Sequence, residues 1–449
     1  MKNKKRILLI LFITILSINA FSILYCMNYN KKDVSITVSD KLLTSASDPI
    51  NLEWNRTWFE FFGWEAEGNA IALDSLNNSY ISGFSSGNIG KSRDVCLVKY
   101  NSSGQLQWDR TWGGADIDIG QAILISSTDD IYIAGYTQNG FLGEMDIFLL
   151  KYNNTGGLQW YNVWGGSGED YCYGIAIDNN NNIFLGGYTE SWIAEGSAMC
   201  LLKYNTSGGL EWNRTWGGGF YDGAVGIVVD SSNNIYLGGT KGYDLCLVKF
   251  DNSGVWQWNR SWNTVGRKWG KGITIDSSDD IYLVGEGTYL VDNETLGWQI
   301  CLLKYNKFGD LQWSKICNNI TAPDLIPSLI NGITLDSSNN IYLAKKSIDD
   351  NLEIEKFDSS GNKKWDYVFG GTWEDSCNGI VVDTLNNIYI AGKLDNEVYI
   401  GKFIESSPET TLKEVPGYNL WPLIFVLSVV SSVIVLSMSL KIKLLKKSK

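Results

Sequence analysis

The chain of 449 residues contains no histidine. Imidazole serves as the base in Ser-His-Asp and Cys-His catalysis and is a common metal ligand. Its absence therefore excludes both kinds of catalysis and every histidine metal site. Carboxylate chemistry, lysine nucleophiles and calcium held by oxygen ligands stay open.

Positive charge and proline are also scarce. The 37 Lys and Arg stand against 49 Asp and Glu, which gives a net charge of −12. An acidic surface repels phosphate backbones, so no nucleic-acid partner is expected. Only 6 residues are proline, whereas 47 are glycine and 19 are tryptophan. This composition indicates a folded chain whose turns use Gly, Asn, Asp and Ser.

The two ends of the chain differ from the rest. A basic start and an apolar run to Met27 predict a signal peptide or signal-anchor over residues 1–27, followed by a linker over 28–50. The uncharged run from Leu420 to Leu440 is long enough to cross a bilayer, and five lysines follow it. We expect a stalk at 404–417, a transmembrane helix at 418–440 and a cytoplasmic basic tail at 441–449, with everything before the helix outside the cell.

Between these ends a unit of roughly 52 residues recurs. Its first element is a strand-like segment such as Leu106–Trp112, and the others resemble Gly174–Asp178, Asn387–Gly392 and Cys200–Tyr204. The first tryptophan of the unit recurs in seven copies, at Trp54, Trp108, Trp160, Trp212, Trp258, Trp313 and Trp365. The elements are short and rich in Ile, Val, Tyr and Trp, which is typical of strands.

Four antiparallel strands repeated seven times predict an all-β, seven-bladed β-propeller over residues 51–403. The phase of the repeat leaves the seventh blade without an outer strand after Phe403. The segment Leu52–Trp58 has no blade before it. We therefore predict that this N-terminal strand pairs with Val398–Phe403 and closes the ring.

Alternation along the strands predicts that both indoles of each Trp-x-x-x-Trp element point into the gap between blades. Seven lysines share one repeat position, and six aspartates share another, with Ser126 in the remaining copy. A feature present in every blade favours structural pairing over a catalytic ring. The lysines are Lys99, Lys151, Lys203, Lys249, Lys304, Lys356 and Lys402, and the aspartates are Asp74, Asp178, Asp230, Asp276, Asp336 and Asp383.

The segment from Trp164 to Asp178, followed by Asn182–Thr189, resembles the seven-bladed β-propeller repeat family of secreted and cell-surface bacterial and archaeal proteins. The resemblance covers roughly residues 51–403, and it implies fold and location far better than activity. The tail from Pro416 to Trp421, followed by an apolar run, is similar to archaeal surface-protein anchors.

The loops joining strands one and two, and those joining strands three and four, are short and uniform. The loops joining strands two and three are longer and varied, and so are those joining each outer strand to the next inner strand. Variation on a rigid scaffold favours recognition. The loops that follow the outer strands also concentrate acids and aromatics, which suit sugars or cationic peptides. The candidate ligand-binding residues are Trp64, Glu65, Asp116, Asp118, Glu169, Asp170, Tyr171, Tyr221, Asp222, Trp373, Glu374 and Asp375. Ordinary solvated loops remain the alternative.

Outside location gives meaning to Asn-x-Ser/Thr sequons. The candidate glycosylation sites are Asn101, Asn153, Asn205 and Asn293, and the alternative is that Asn and Ser simply form turns. Equivalent cysteines in separate blades lie too far apart for disulfides, so they are expected to be core residues. No metal or cofactor is expected, although the acidic loops leave Ca²⁺ as an alternative.

These observations predict a membrane-anchored cell-surface propeller that binds a glycan, a peptide or a surface protein without catalysis. One alternative is a structural coat protein. Another is a carboxylate-dependent glycosidase or lyase that uses Glu169 with Asp170, or Glu374 with Asp375. Adjacent carboxylates in one loop seldom lie on both sides of a glycosidic bond, which disfavours the enzyme.

Overall fold

A computed structural model describes the closed ring and little of the two ends. The described residues are 48–59, 65–86, 92–138, 144–263, 266–290, 296–320, 330–347, 351–370 and 375–406. The chain divides into two compact units after Glu405, and the seven blades belong to the first of them. The predicted signal segment, the transmembrane helix and the basic tail lie outside the described residues.

The described residues form seven antiparallel sheets of four strands each, as predicted. Blade 1 contains β2 (Ala66–Leu73), β3 (Ser79–Ser86), β4 (Arg93–Tyr100) and β5 (Leu106–Trp112). Blade 2 contains β6 (Asp118–Ile125), β7 (Ile131–Thr137), β8 (Asp146–Tyr152) and β9 (Leu158–Trp164). Blade 3 contains β10 (Asp170–Ile177), β11 (Ile183–Thr189), β12 (Ser197–Tyr204) and β13 (Leu210–Gly219).

The remaining blades follow the same plan. Blade 4 contains β14 (Gly223–Val229), β15 (Ile235–Lys241), β16 (Asp244–Phe250) and β17 (Trp256–Trp262). Blade 5 contains β18 (Lys268–Ile275), β19 (Ile281–Leu290), β20 (Leu296–Tyr305) and β21 (Leu311–Ile320). Blade 6 contains β22 (Ile330–Leu335), β23 (Ile341–Lys346), β24 (Leu352–Phe357) and β25 (Lys363–Phe369).

Blade 7 joins the two ends of the ring. It contains β26 (Ser376–Val382), β27 (Ile388–Leu394) and β28 (Glu397–Glu405), and its outer strand is β1 (Ile50–Trp58). The register pairs Leu52 with Phe403 and Trp58 with Val398. The predicted closure is therefore confirmed, and the paired strands extend slightly further than predicted.

The core lies between neighbouring blades. In the closing strand, Trp54 and Trp58 are buried against Val98 of blade 1 and Tyr389 of blade 7. The Trp58 indole Nε1–H donates to Asp109 Oδ2 of blade 1 at 2.8 Å. The prediction that both indoles enter the gap between blades is therefore confirmed. They pack there because a sheet with two apolar faces needs a neighbour on each side.

The blades approach most closely at the inner strands, where the side chains are small. A Cβ added to Gly174 would lie 2.9 Å from the Cα of Gly226 in the next blade. A larger residue would push the two strands apart. The described cysteines agree with a packing role, because all seven of them are free thiols and six are buried.

One end of every blade carries turns of a single design, and we call this end of the ring the uniform face. It holds the turns between first and second strands and between third and fourth strands. In blade 1, Asp74 Oδ1 accepts the backbone N–H groups of Leu76 and Asn78, both at 2.9 Å. Asp74 Oδ2 accepts the Tyr80 hydroxyl at 3.0 Å.

The recurring lysines approach acids on this face, as predicted. Lys304 Nζ lies 3.4 Å from Asp276 Oδ2, and the equivalent pairs in blades 1, 4 and 6 span 3.6–3.9 Å. In blade 2, where Ser126 replaces the aspartate, Lys151 contacts Asp130 at 2.8 Å instead. In blades 3 and 7 the lysine contacts an acid of the outer strand instead, Lys203 with Glu211 at 3.3 Å and Lys402 with Glu53 at 2.7 Å.

Candidate functional site: the channel mouth

The inner strand of every blade carries one residue that its partner strand does not match. The register between first and second strands shifts at the same point in all seven blades. Such a bulge re-aims a side chain. The seven bulge residues are Asn69, Gln121, Tyr173, Val225, Lys271, Asn331 and Asn378, and all of them line one cavity of about 520 Å³.

This cavity is the mouth of the central channel, and it opens on the end opposite the uniform face. Its rim includes Lys346 and Lys393 near the ends of second strands and Ser376 at the start of an inner strand. Second and outer strands end at this end of the ring, and third and inner strands begin there. We call this end of the ring the varied face.

The walls of the cavity differ in chemistry from one side to the other. Lys271, Lys346 and Lys393 come from blades 5, 6 and 7, and Tyr173 comes from blade 3 across the ring. Lys271 Nζ lies 2.9 Å from Glu286 Oε1. Burial raises the pKa of Glu286, and the charge of Lys271 acts against that rise.

Blades 7 and 1 are joined at the mouth by a carboxylate. Glu67 Oε1 accepts the Ser376 hydroxyl and the Asn378 Nδ2–H, both at 2.7 Å. Asn378 Nδ2 also donates to the backbone oxygen of Gly68 at 3.1 Å. One Glu67 oxygen is thus engaged within the ring, and the amide oxygen of Asn378 accepts from Asn331 at 2.8 Å.

Tyrosines extend from the mouth across blades 2 and 3. Tyr173 stacks with Tyr188 at 6.1 Å between ring centroids, and Tyr188 stacks with Tyr171 at 5.0 Å. Tyr136 meets Tyr171 edge-on at 4.6 Å. Burial, and then the charge of Glu169, raise the pKa of Tyr171 to about 12. Its hydroxyl is therefore a donor at neutral pH, and it donates to Glu169 at 3.2 Å.

Three large aromatic side chains project from the rim of the varied face. Trp192, Phe220 and Tyr221 are 67%, 68% and 57% exposed. Trp192 and Tyr221 have φ values of 60° and 67°, in the left-handed region that disfavours bulky side chains. Such strained backbone clusters at functional sites. The Tyr221 ring packs on Tyr243 at 5.3 Å, and the Arg267 guanidinium lies 4.4 Å from the Tyr243 centroid.

The aspartates among the predicted site residues point inward. All four are at most 4% exposed, and each accepts backbone N–H groups of the varied face. The Gly166 N–H donates to Asp170 Oδ2 at 2.9 Å, as does the Ser191 hydroxyl at 2.7 Å. They fasten the loops of this face, and Asp375, which accepts the Asp395 N–H at 3.3 Å, also lines the channel-mouth cavity. The set is Asp118, Asp170, Asp222 and Asp375.

The remaining predicted residues occupy three environments. Asp116 and Glu169 are exposed on loops between blades. Glu65 binds Arg93 at 2.7 Å and lies 3.7 Å from Lys393. Tyr171 and Tyr221 belong to the aromatic groups above. Trp64, Trp373 and Glu374 lie outside the described residues, and so does the predicted glycosylation site Asn293.

Reasoning from the sequence missed the bulge ring. A bulge is a matter of register between two strands, so no motif marks it. One signal was present: the residue before the Gly or Ala of each inner strand takes five types over the seven repeats, among them Asn69, Tyr173 and Lys271. A position that varies within an otherwise repeated strand can therefore indicate a bulge residue of this kind.

Two features are absent from the described ranges, a metal-binding cluster and a membrane-spanning helix. No group of three or more Asp, Glu or Cys side chains there could hold a metal ion. No helix in that part of the chain is long and apolar enough to cross a bilayer. The predicted span at 418–440 falls outside those ranges.

The fold defines a seven-bladed β-propeller, and the comparisons with known proteins agree with its repeat. Residues 163–191 and 367–393 match the family model described as Beta-propeller repeat. Each match begins near the end of an outer strand and reaches the second strand of the next blade. These matches and the seven blades support the resemblance to the repeat family. The similarity of the tail to archaeal anchors finds no support.

Similarity to individual proteins is distant. The regulatory protein FlaEY of Caulobacter vibrioides is 28% identical over 111 residues, a match spanning 22% of this chain and only 12% of that protein. A solved polysaccharide lyase of family PL25, an ulvan lyase, has a TM-score of 0.51 at 13% identity, and the match covers 77% of this chain and 95% of the lyase. The BP39L lectin of Burkholderia pseudomallei has a TM-score of 0.46 at 10% identity, and the match covers 78% of this chain and 97% of the lectin. At such identities the likeness shows the fold alone.

Proposed function

We propose that this chain is a cell-surface binding module that takes a saccharide on its varied face without catalysis. One observation carries the proposal: the inner-strand bulges bring one side chain from each blade into a single cavity, and these seven side chains are of five types while the strands around them repeat. Side chains needed only for the fold would repeat with the blades, as the lysines of the uniform face do.

Saccharide is the ligand class that this surface suits best. Sugar rings pack their C–H faces on aromatic rings and use amides and charged groups for their hydroxyls. The cavity supplies Tyr173 on one wall, the amides of Asn69 and Gln121, and lysines on the other wall. The exposed rings of Trp192 and Tyr221 extend this surface to the rim.

Location is part of the proposal. The basic and apolar start supports export, and the uncharged run from Leu420 to Leu440 with its lysine tail supports a membrane tether. Protease treatment of intact cells tests both. The account expects the propeller to be digested from outside and the lysine tail to stay protected. Protection of the whole chain would contradict the topology.

A non-enzymatic role is supported by the one predicted carboxylate pair that the structure describes in full. Glu169 is exposed, whereas the Asp170 side chain is fully buried and binds the loop amide of Gly166. An acid and a base must face one reacting bond, and these two groups face different surroundings.

Binding can be tested with a glycan array probed by the full chain in mild detergent. We expect selective binding that is lost in Tyr173→Ala and weakened in Tyr221→Ala. The matched control is Tyr161→Ala, since Tyr161 is 56% exposed on the outer strand of blade 2, away from the mouth. Equal binding by all three variants, or no binding to any glycan, would refute the proposal.

A further inference from the structure

Three consecutive blades carry a sequon at one point of the uniform face. We infer that Asn101, Asn153 and Asn205 are N-glycosylation sites whose glycans cover the uniform face of blades 1 to 3. Each opens the turn between a third and a fourth strand. The inference uses the predicted export of the chain but no part of the saccharide-binding surface.

In blades 2 and 3 the turn uses only the oxygen of the asparagine side chain. Asn153 Oδ1 accepts the backbone N–H groups of Thr155 and Gly157, at 3.1 and 2.8 Å. Asn205 Oδ1 accepts those of Ser207 and Gly209 at the same distances. Neither arrangement draws on the amide nitrogen, which is the atom that a glycan would occupy.

The other blades show that the turn does not require an amide. Blade 4 has Asp251 at this position, and its Oδ1 accepts the N–H groups of Ser253 and Val255, both at 3.0 Å. Asp358 does the same in blade 6, at 3.1 and 2.9 Å. Since a carboxylate serves equally well, the turn alone does not explain asparagine in blades 1 to 3.

The hydroxyl of the sequon also has a defined place. The Thr155 hydroxyl donates to Asn153 Oδ1 at 2.8 Å, and the Ser207 hydroxyl donates to Asn205 Oδ1 at 2.8 Å. In blade 1 the Ser103 hydroxyl donates to Asn101 Oδ1 at 2.9 Å. Blade 5 makes the same turn with Asn306 but has Phe308 two residues later, so it carries no hydroxyl and serves as an internal control.

Blades 2 and 3 leave space beside the amide nitrogen. A Cβ added at Gly157 would lie 3.1 Å from Asn153 Nδ2, and one added at Gly209 would lie 2.8 Å from Asn205 Nδ2. The absence of a side chain there opens the approach to the nitrogen. In blade 1 the residue is Gln105, whose side-chain oxygen accepts from Asn101 Nδ2 at 3.0 Å on the exposed surface.

The modification is a group transfer from a lipid-linked diphosphate sugar. The amide nitrogen loses one proton and bonds to the anomeric carbon, while the bond from that carbon to the diphosphate breaks and the lipid diphosphate leaves. The product is an amide-linked glycan on each turn. Because all three turns lie on the uniform face, the channel mouth stays uncovered.

Peptide mass mapping of the full chain from its native membranes tests the inference. We expect glycan mass on the peptides of Asn101, Asn153 and Asn205 and none on that of Asn306. Single Asn→Asp variants reproduce the turn of blades 4 and 6, so each should lose one glycan and keep the wild-type melting temperature. Unmodified peptides at all three positions, or equal modification of Asn306, would overturn it.

Discussion

The two faces of the ring differ in how closely their residues follow the repeat. On the uniform face, Asp74 accepts hydrogen bonds from its own turn and from Tyr80, and the pattern recurs around the ring. On the varied face, bulky residues such as Trp192 and Tyr221 occupy left-handed backbone and stay exposed. Repeated chemistry therefore marks what holds the ring together, and departures from the repeat mark the surface on which we propose that a ligand binds.

Two carboxylates, one on each face, have pKa values shifted in opposite directions. Burial raises the pKa of Asp74, but hydrogen bonds from Asn78 and Leu76 outweigh it, and the pKa is lowered. On the varied face, burial and then the charges of Asp170 and Glu144 raise the pKa of Asp146. The ionised form of Asp74 is therefore stabilised, and that of Asp146 is destabilised.

Deleting residues 51–58 should have the largest effect, because it opens the ring that both faces share. The deletion removes Trp54 and Trp58, and each buried indole contributes about 3–5 kcal/mol. We expect loss of cooperative thermal unfolding and of ligand binding together, measured by calorimetry and by the glycan array. Trimming the last eight residues is the control, and a deletion variant that melted like it would disprove the closure.

Asp230→Ala, on the uniform face, should lower the stability of the ring without changing glycan binding. Its carboxylate accepts from Ser232, Asn234 and the Tyr236 hydroxyl, so the loss is expected at about 2–4 kcal/mol. Chemical denaturation measures it, and glycan binding should be unchanged. Asp230→Ser copies blade 2, where Ser126 makes the turn, and should lose less. An Asp230→Ala variant as stable as the wild type would show that the uniform-face turns do not stabilise the ring.

Tyr221→Gly, on the varied face, should have the opposite effect: it should weaken glycan binding without lowering stability. Glycine adopts a positive φ freely, so the change relieves backbone strain of about 1–2 kcal/mol while removing the exposed ring. We expect a melting temperature at or above that of Tyr221→Ala, with weakened glycan binding in both. A lower melting temperature for Tyr221→Gly would show that the left-handed backbone is unstrained.

The pH dependence should give the smallest and most specific contrast. A lowered pKa stabilises the fold above the unfolded value, and that stability is lost as the pH falls through the folded value, so Asp74→Asn should lower the melting temperature at neutral pH. A raised pKa stabilises the fold below the unfolded value, and that stability is lost as the pH rises through the folded value. Asp146→Asn should therefore raise the melting temperature at neutral pH and leave it unchanged near pH 3. Shifts of the same sign in both variants would remove the contrast.

Much of the fold was predictable because each blade is an independent copy of the same pattern. The blade count, the closing strand and the lysine pairing all followed from repetition, and the structure confirms them. The site was harder to predict. Asp118, Asp170 and Asp222 hold one repeat position, and the reasoning that made the lysines structural would have made these aspartates structural too.

Other features could not be read from the sequence. The bulge that turns Tyr173 and Lys271 into one cavity depends on strand register, which residue types alone do not specify. The left-handed backbone at Trp192 is set by the loop around it and runs against the preference of its own residue type.

The central claim is that the varied face binds a saccharide and that the uniform face stabilises the ring. Hydrogen–deuterium exchange of the full chain, with and without the glycan that binds it most tightly on the array, tests this directly. The account predicts slower exchange in peptides spanning the inner-strand bulges, such as those with Tyr173 and Lys271, and unchanged exchange in the uniform-face turns at Asp74 and Asp230. Protection of the uniform-face turns, with the bulge peptides unaffected, would contradict it.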